Sequence, residues 1–126
     1  MIFVDSNVFI YAVGRPHPLR EEAQNFFIDS MKKAKRLVTS AEVLQELIHV
    51  YLPVNRLDSL DAALTLAVEG VEKVLTVDME AVIHARNLIS KHPSLSARDL
   101  IHIATCQLNN IKEIMSFDRK LNAAFK

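Results

Sequence analysis

The sequence predicts an α/β fold, a short, mostly parallel twisted sheet with helices on both faces. Two observations carry this. Four short apolar runs, IFV, RLVTS, KVLTVD and EIMSFD, alternate with longer segments of helical periodicity, which is the pattern of βα units. Three of the runs lead into an aspartate, Asp5, Asp78 and Asp118. Parallel sheets bind ligands beyond the carboxyl ends of their strands, so these acids fall on the functional edge.

Each element follows in order. IFV is the first strand, and SNVFIYAVG a brief helix stopped by Gly14. RPHP breaks the chain before PLREEAQNFFIDSMKKA, a helix with Pro18 near its start. RLVTS is the second strand. Thr39 is expected to open the next helix, since T-S-A-E fits a capping box in which Glu42 reaches back. That helix ends near Leu52, before Pro53 and Asn55. RLDSLDAALTLAVEG reads as a helix stopped by Gly70, KVLTVD as the third strand, and MEAVIHARNLISK as a helix closed before His92-Pro93. SARDLIHIATCQLNN is a helix capped by Ser96, EIMSFD the fourth strand, and RKLNAAF a terminal helix.

Composition bounds the function. The chain has 126 residues, 50% of them hydrophobic, which suits one domain spanning residues 1–126. Its only glycines are Gly14 and Gly70, which excludes Gly-rich phosphate loops and dinucleotide fingerprints. With 15 basic and 15 acidic residues, an electrostatic nucleic-acid coat is not expected. The densest basic run, Lys32, Lys33, Lys35 and Arg36, reads as a solvated helix end. No apolar run is long enough to span a membrane, and no secretory signal is visible, so a cytoplasmic location is expected. Cys106 is the single cysteine and reads as a small buried side chain.

Four carboxylates form the candidate site. Asp5 and Asp118 follow strands, Asp99 lies in the first turn of SARDLIHIA, and Glu46 lies one turn beyond Glu42. Crowded acids repel unless a cation compensates, and oxygen donors without cysteine point to Mg²⁺ or Mn²⁺. Acids around such cations suit phosphodiester hydrolysis. Each acid also has a plainer reading. Asp5, Asp78 and Asp118 fit helix caps, Glu46 fits a solvated face shared with Glu42 and His49, and Asp99 fits a capping box with Ser96. Only their joint position raises the four above that.

MIFVDSNVFIYA, TSAEVLQELI, LSARDLIHIATCQLNNI and IMSFDRKL together resemble the motifs of PIN-domain nucleases, closest to the VapC-type toxins of toxin–antitoxin modules. The resemblance runs the length of the chain. It implies an α/β/α sandwich and Mg²⁺- or Mn²⁺-dependent endoribonuclease activity restrained by a cognate antitoxin. It places the family's acids on Asp5, Glu46, Asp99 and Asp118. Asp5, Asp99 and Asp118 are then the metal ligands, and Glu46 positions or deprotonates water. Asn7, Ser116 and, more loosely, Ser6 orient the carboxylates. Arg15, His17, Arg98 and Arg119 are candidate RNA contacts, with solvation their plainer reading. His102, one turn beyond Asp99, is read as a packed or hydrogen-bonded histidine. Aromatic content of 6% offers no evident stacking platform.

Two other readings stand beside this one. A receiver-type phosphoacceptor would use Asp78, but calls for paired acids after its first strand where this chain has Asp5-Ser6. A catalytically inactive binding module on the same fold would keep the shape alone. The apolar stripe Val43, Leu44, Leu47, Ile48, Val50 and Tyr51 fits either core burial or a subunit contact, and the family resemblance favours a homodimer.

Overall fold

Phe3 and Val4, adjacent in the first strand, are both fully buried. Successive strand residues point to opposite faces, so both faces of the sheet are covered. A computed structural model describes residues 1–126 and shows how. Strands β1 (Ile2–Val4), β2 (Leu37–Ser40), β3 (Lys73–Leu75) and β4 (Glu113–Met115) form one sheet in the order β3-β2-β1-β4. Every pairing is parallel. Each predicted strand is present, with its boundaries trimmed to the paired residues.

Seven helices connect and cover the sheet: α1 (Ser6–Val13), α2 (Arg20–Lys32), α3 (Ala41–Tyr51), α4 (Leu57–Glu69), α5 (Met79–Asn87), α6 (Ala97–Leu108) and α7 (Arg119–Ala124). The larger apolar cluster joins the sheet to α1 through α4 with Phe9, Val43, Leu47 and Ala63. The smaller joins α5, α6 and α7 through Leu88, Leu100, Ile103 and Leu121. Half-buried Ile114 and Phe125 pack against both. Gly14 is required where α1 ends, because a Cβ there would come within 2.7 Å of the Ile10 carbonyl oxygen.

The start of α3 corrects the predicted capping box. Ser40, not Thr39, is the N-cap, with extended dihedrals and its hydroxyl accepting from the Val43 N–H at 3.3 Å. Thr39 stays in β2, and its hydroxyl donates to the Val4 carbonyl at 2.9 Å. The box was assigned one residue early, so Glu42 has no cap to complete. Asp78 does cap α5, accepting from the Ala81 N–H at 3.1 Å. The basic run is solvated as expected: Lys32, Lys33 and Lys35 are exposed, and Arg36 pairs with Glu72 at 2.8 Å. The α3 stripe divides, with Val43, Leu47 and Tyr51 buried and Ile48 and Val50 exposed. No helix is long and apolar enough to cross a membrane.

Candidate active site

Sheet register sets the position of Asp5. Phe3 lies opposite both Val38 and Ile114, so the residues just beyond β1 and β4 emerge side by side. The Asp5 N–H donates to the Met115 carbonyl at 3.0 Å. The residue is only 4% exposed. Its Oδ1 accepts from the Ser6 N–H at 2.8 Å, and its Oδ2 from the Ser116 hydroxyl at 2.7 Å. Burial pushes this carboxyl up and Glu46 adds to the rise; His102, Ser116 and Ser6 oppose it without cancelling it.

Ser116 is saturated. Its one proton goes to Asp5, and its two lone pairs accept from Asn7 Nδ2 at 3.4 Å and from the Asp118 N–H at 3.0 Å. Asn7 Oδ1 accepts from the Phe117 N–H at 3.2 Å, which fixes the amide's orientation. Asp118 caps α7 through Oδ1 alone, which accepts from the Lys120 and Leu121 N–H groups at 2.9 and 3.1 Å. Its second oxygen is left over, so capping and a place in the site are compatible.

Helix α3 delivers Glu46 and α6 delivers His102. Glu46 Oε2 accepts from the Ser6 hydroxyl at 3.2 Å, while Oε1 meets His102 Nε2. The same nitrogen lies 3.6 Å from Asp5 Oδ1. Facing two carboxylates, Nε2 carries a proton. His102 is wholly buried, which lowers its proton affinity. The hydrogen bond to Glu46 and the charges of Asp5, Glu46 and Asp99 outweigh that burial, and the net direction is up. Glu46 is therefore no solvated surface acid, since its side chain is 15% exposed and both oxygens are engaged.

Asp99 is half-buried in the first turn of α6, its N–H donating to Ser96 Oγ at 3.2 Å. Its carboxyl is pushed up by burial, then by the charges of Asp118 and Asp5, against the pull of His102 and Ser96. Asp99 thus lies within charge range of both Asp5 and Asp118. The tightest set of donor atoms, however, is Asp5, Glu46 and His102, all within 4.8 Å of one another. His102 is both packed and hydrogen-bonded, as its place three residues after Asp99 suggests, and what the sequence did not supply is its partner, Glu46.

Glu42 was also missed as a neighbour of this pocket. Its carboxyl is pushed up by burial and by Glu46, while His102 and Arg98 pull it down. Its spacing of four from Glu46 was the available signal. Arg98 is half-buried and within charge range of Glu42. Arg15, His17 and Arg119 are exposed.

These residues suit a divalent cation. The raised carboxyls of Asp5, Asp99 and Glu42 reflect acids crowded in a poorly solvated pocket, which a cation relieves. Most donors are carboxylate oxygens, a hard-cation set, and the one nitrogen is committed to Glu46.

Comparison with known proteins bears on the family and the fold. A family model described as PIN domain matches residues 2–126. Ribonuclease VapC23 of Mycobacterium tuberculosis is 51% identical over 126 residues, covering all of this chain and 99% of that protein. Ribonuclease VapC13 of the same organism is 40% identical over 119 residues, 94% of this chain and 91% of that protein. The crystal structure of Mycobacterium tuberculosis VapC20, described as a sarcin-ricin loop cleaving toxin, matches with a TM-score of 0.84. It covers 98% of this chain and 95% of its own, and at 21% identity it speaks for the fold alone. The chain belongs to the PIN-domain family, within its VapC-type group.

Proposed function

We propose that this chain, acting as one unit across residues 1–126, is a divalent-metal-dependent endoribonuclease and the toxin of a VapBC-type toxin–antitoxin module. The observation that carries the reading is the convergence of Asp5, Glu46, Asp99 and Asp118 at the carboxyl edge of the sheet, with the Asp5 carboxyl pushed up by burial and then Glu46, and the Asp99 carboxyl by burial and then Asp118 and Asp5. The relatives' ribonuclease names support it.

Asp5, Asp99 and Asp118 would hold Mg²⁺ or Mn²⁺. Such a cation supplies polarisation of the scissile phosphate and a better water nucleophile. The chain's own residues do the rest. Ser116 and Asn7 hold Asp5 and the β4–α7 turn in place. Glu46, aligned by Ser6 and His102, receives the proton of the attacking water. Arg15, Arg98 and Arg119 would meet phosphates flanking the cut. A cognate antitoxin would restrain the enzyme by filling this pocket. Exposed Ile48, Val50, Leu52 and Val54, at the end of α3 and just beyond, offer an apolar surface for a homodimer.

The receiver-type reading draws no support, because Asp78 follows the edge strand β3 and its carboxylate caps α5. The test is cleavage of total cellular RNA with Mn²⁺, Mg²⁺ or EDTA, beside Asp5→Asn. Metal-dependent cutting that the substitution abolishes supports the reading. Cutting that survives Asp5→Asn contradicts it. Absence of cutting by folded protein with any metal favours the inactive binding module.

A further inference from the structure

The fold assembles an aromatic surface that composition did not reveal. Tyr11 stands four residues beyond Asn7 on α1, one turn along the same face and about 6 Å up the axis. Its ring stacks on His17, with centroids 4.3 Å apart and planes at 23°. It also meets Phe117 edge-on, with centroids 5.6 Å apart and planes at 68°. Phe117 lies in the chain between Ser116, which bonds Asp5, and Asp118. The three rings therefore border the acidic pocket through two separate stretches of backbone, Asn7 to Tyr11 and Ser116 to Asp118.

His17 is the informative member. An exposed side chain ordinarily keeps its rotamer freedom and loses it only at an entropic cost. This one is exposed yet held in three ways. Pro16 and Pro18 restrict the backbone on either side. The Leu19 N–H donates to Nδ1 at 3.1 Å, and Tyr11 covers one ring face. With Nδ1 taken up by the Leu19 N–H, what the ring has left to offer a ligand is its uncovered face and Nε2. A flat, pre-ordered ring face at the surface suits a nucleobase better than a phosphate. Exposed Arg15, two residues earlier, supplies the cation for the adjoining phosphate.

The geometry points to a nucleobase subsite in which a base of single-stranded RNA, next to the scissile phosphate, stacks on His17 as backed by Tyr11 and Phe117. The subsite rests on the ribonuclease reading and deepens it. It gives His17 a part in base recognition in place of phosphate contact. It also supplies the stacking surface that aromatic content alone did not suggest.

The test reads binding separately from cleavage. Single-stranded 12-nucleotide RNAs carrying 2-aminopurine at successive positions are titrated, in Mg²⁺, into Asp5→Asn protein and into the same protein with His17→Ala or His17→Tyr. Cleavage by otherwise native protein with and without His17→Ala runs in parallel. The expected result is fluorescence quenching confined to one or two probe positions. Binding should be about tenfold weaker with His17→Ala, with quenching lost, and largely retained with His17→Tyr. An abasic RNA at the quenched position should lose the same affinity. Unchanged RNA affinity and quenching with His17→Ala overturns the subsite, and is the result expected if the rings instead seat a protein partner. Failure of folded Asp5→Asn protein to bind any probe overturns it too. Metal-dependent cleavage with an unchanged KM in His17→Ala removes the subsite alone. Position-specific quenching by a protein that never cuts RNA leaves the stacking in place and removes the ribonuclease reading.

Discussion

Ser116 Oγ donates to Asp5 Oδ2 at 2.7 Å, closing a bond between residues 111 positions apart in the chain. The bond exists because β1 and β4 are neighbours in register, and it uses the only proton the hydroxyl has. Ser116→Ala removes it and strips the Asp118 N–H and Asn7 Nδ2 of their acceptor. The expected stability loss is about 1–3 kcal/mol, with cleavage falling about 10–100-fold. Urea unfolding and single-turnover cleavage of one RNA measure the two effects separately.

His102 and Glu46 test a different dependence. Removing the imidazole leaves Glu46 and Asp5 facing each other without their shared proton donor, in a space built for a ring. His102→Ala in EDTA should lose about 3–5 kcal/mol, the range for breaking a buried pair. Glu46→Gln keeps only one of the two acceptors that Ser6 and His102 use, so it should lose stability too while stopping cleavage. A His102→Ala variant as stable in urea as native protein would show that the pair contributes nothing to stability.

How far the sequence revealed this site depends on the residue. Asp5 and Asp118 stood out because short apolar runs lead into them, and strand ends are where parallel sheets place ligands. What no local pattern encodes is which strands are neighbours. Placing β1 between β2 and β4 is what carries Ser116 to Asp5. Glu42 was misread because two hydroxyl residues, Thr39 and Ser40, compete for one cap, and the strand's hydrogen bonding settled the choice. His102 reads as packed or hydrogen-bonded from its helix, but its partner Glu46 is 56 positions away and no local pattern names it. Tyr11, His17 and Phe117 were visible singly; their meeting depends on how α1, the α1–α2 connection and the β4–α7 turn converge.

The pH dependence of stability follows from four raised groups. Asp5, Glu42, Asp99 and His102 all bind protons more tightly folded than unfolded. The carboxyls start from 3.8 or 4.5 and the imidazole from 6.5. The folded state therefore holds more protons across the window above those values, and stability falls as pH rises through it. The exposed Arg36–Glu72 pair acts in the opposite direction, but below 4.5, where Glu72 starts. Metal-free protein should melt at a lower temperature at about pH 8 than at about pH 5.5. Mn²⁺ should raise the melting temperature most at the higher pH. A metal-free melting temperature that rises across this range would contradict the assignment of these shifts.

Cys106 is 1% exposed, and its thiol is pushed up to about 12, first by burial and then by the charge of Asp5. The thiolate is the reactive form, so native protein at neutral pH should resist iodoacetamide for as long as it stays folded. Urea-unfolded protein should be alkylated promptly. Mass spectrometry of the intact chain distinguishes the two.

The central claim is that the acids at the carboxyl edge hold a divalent cation. Calorimetric titration of Mn²⁺ into native, Asp5→Asn and Asp99→Asn protein, each checked for folding, tests it most directly. The account predicts saturable binding by native protein, weakened by about tenfold or more in both variants. Mn²⁺ binding in Asp5→Asn as tight as in native protein would contradict it.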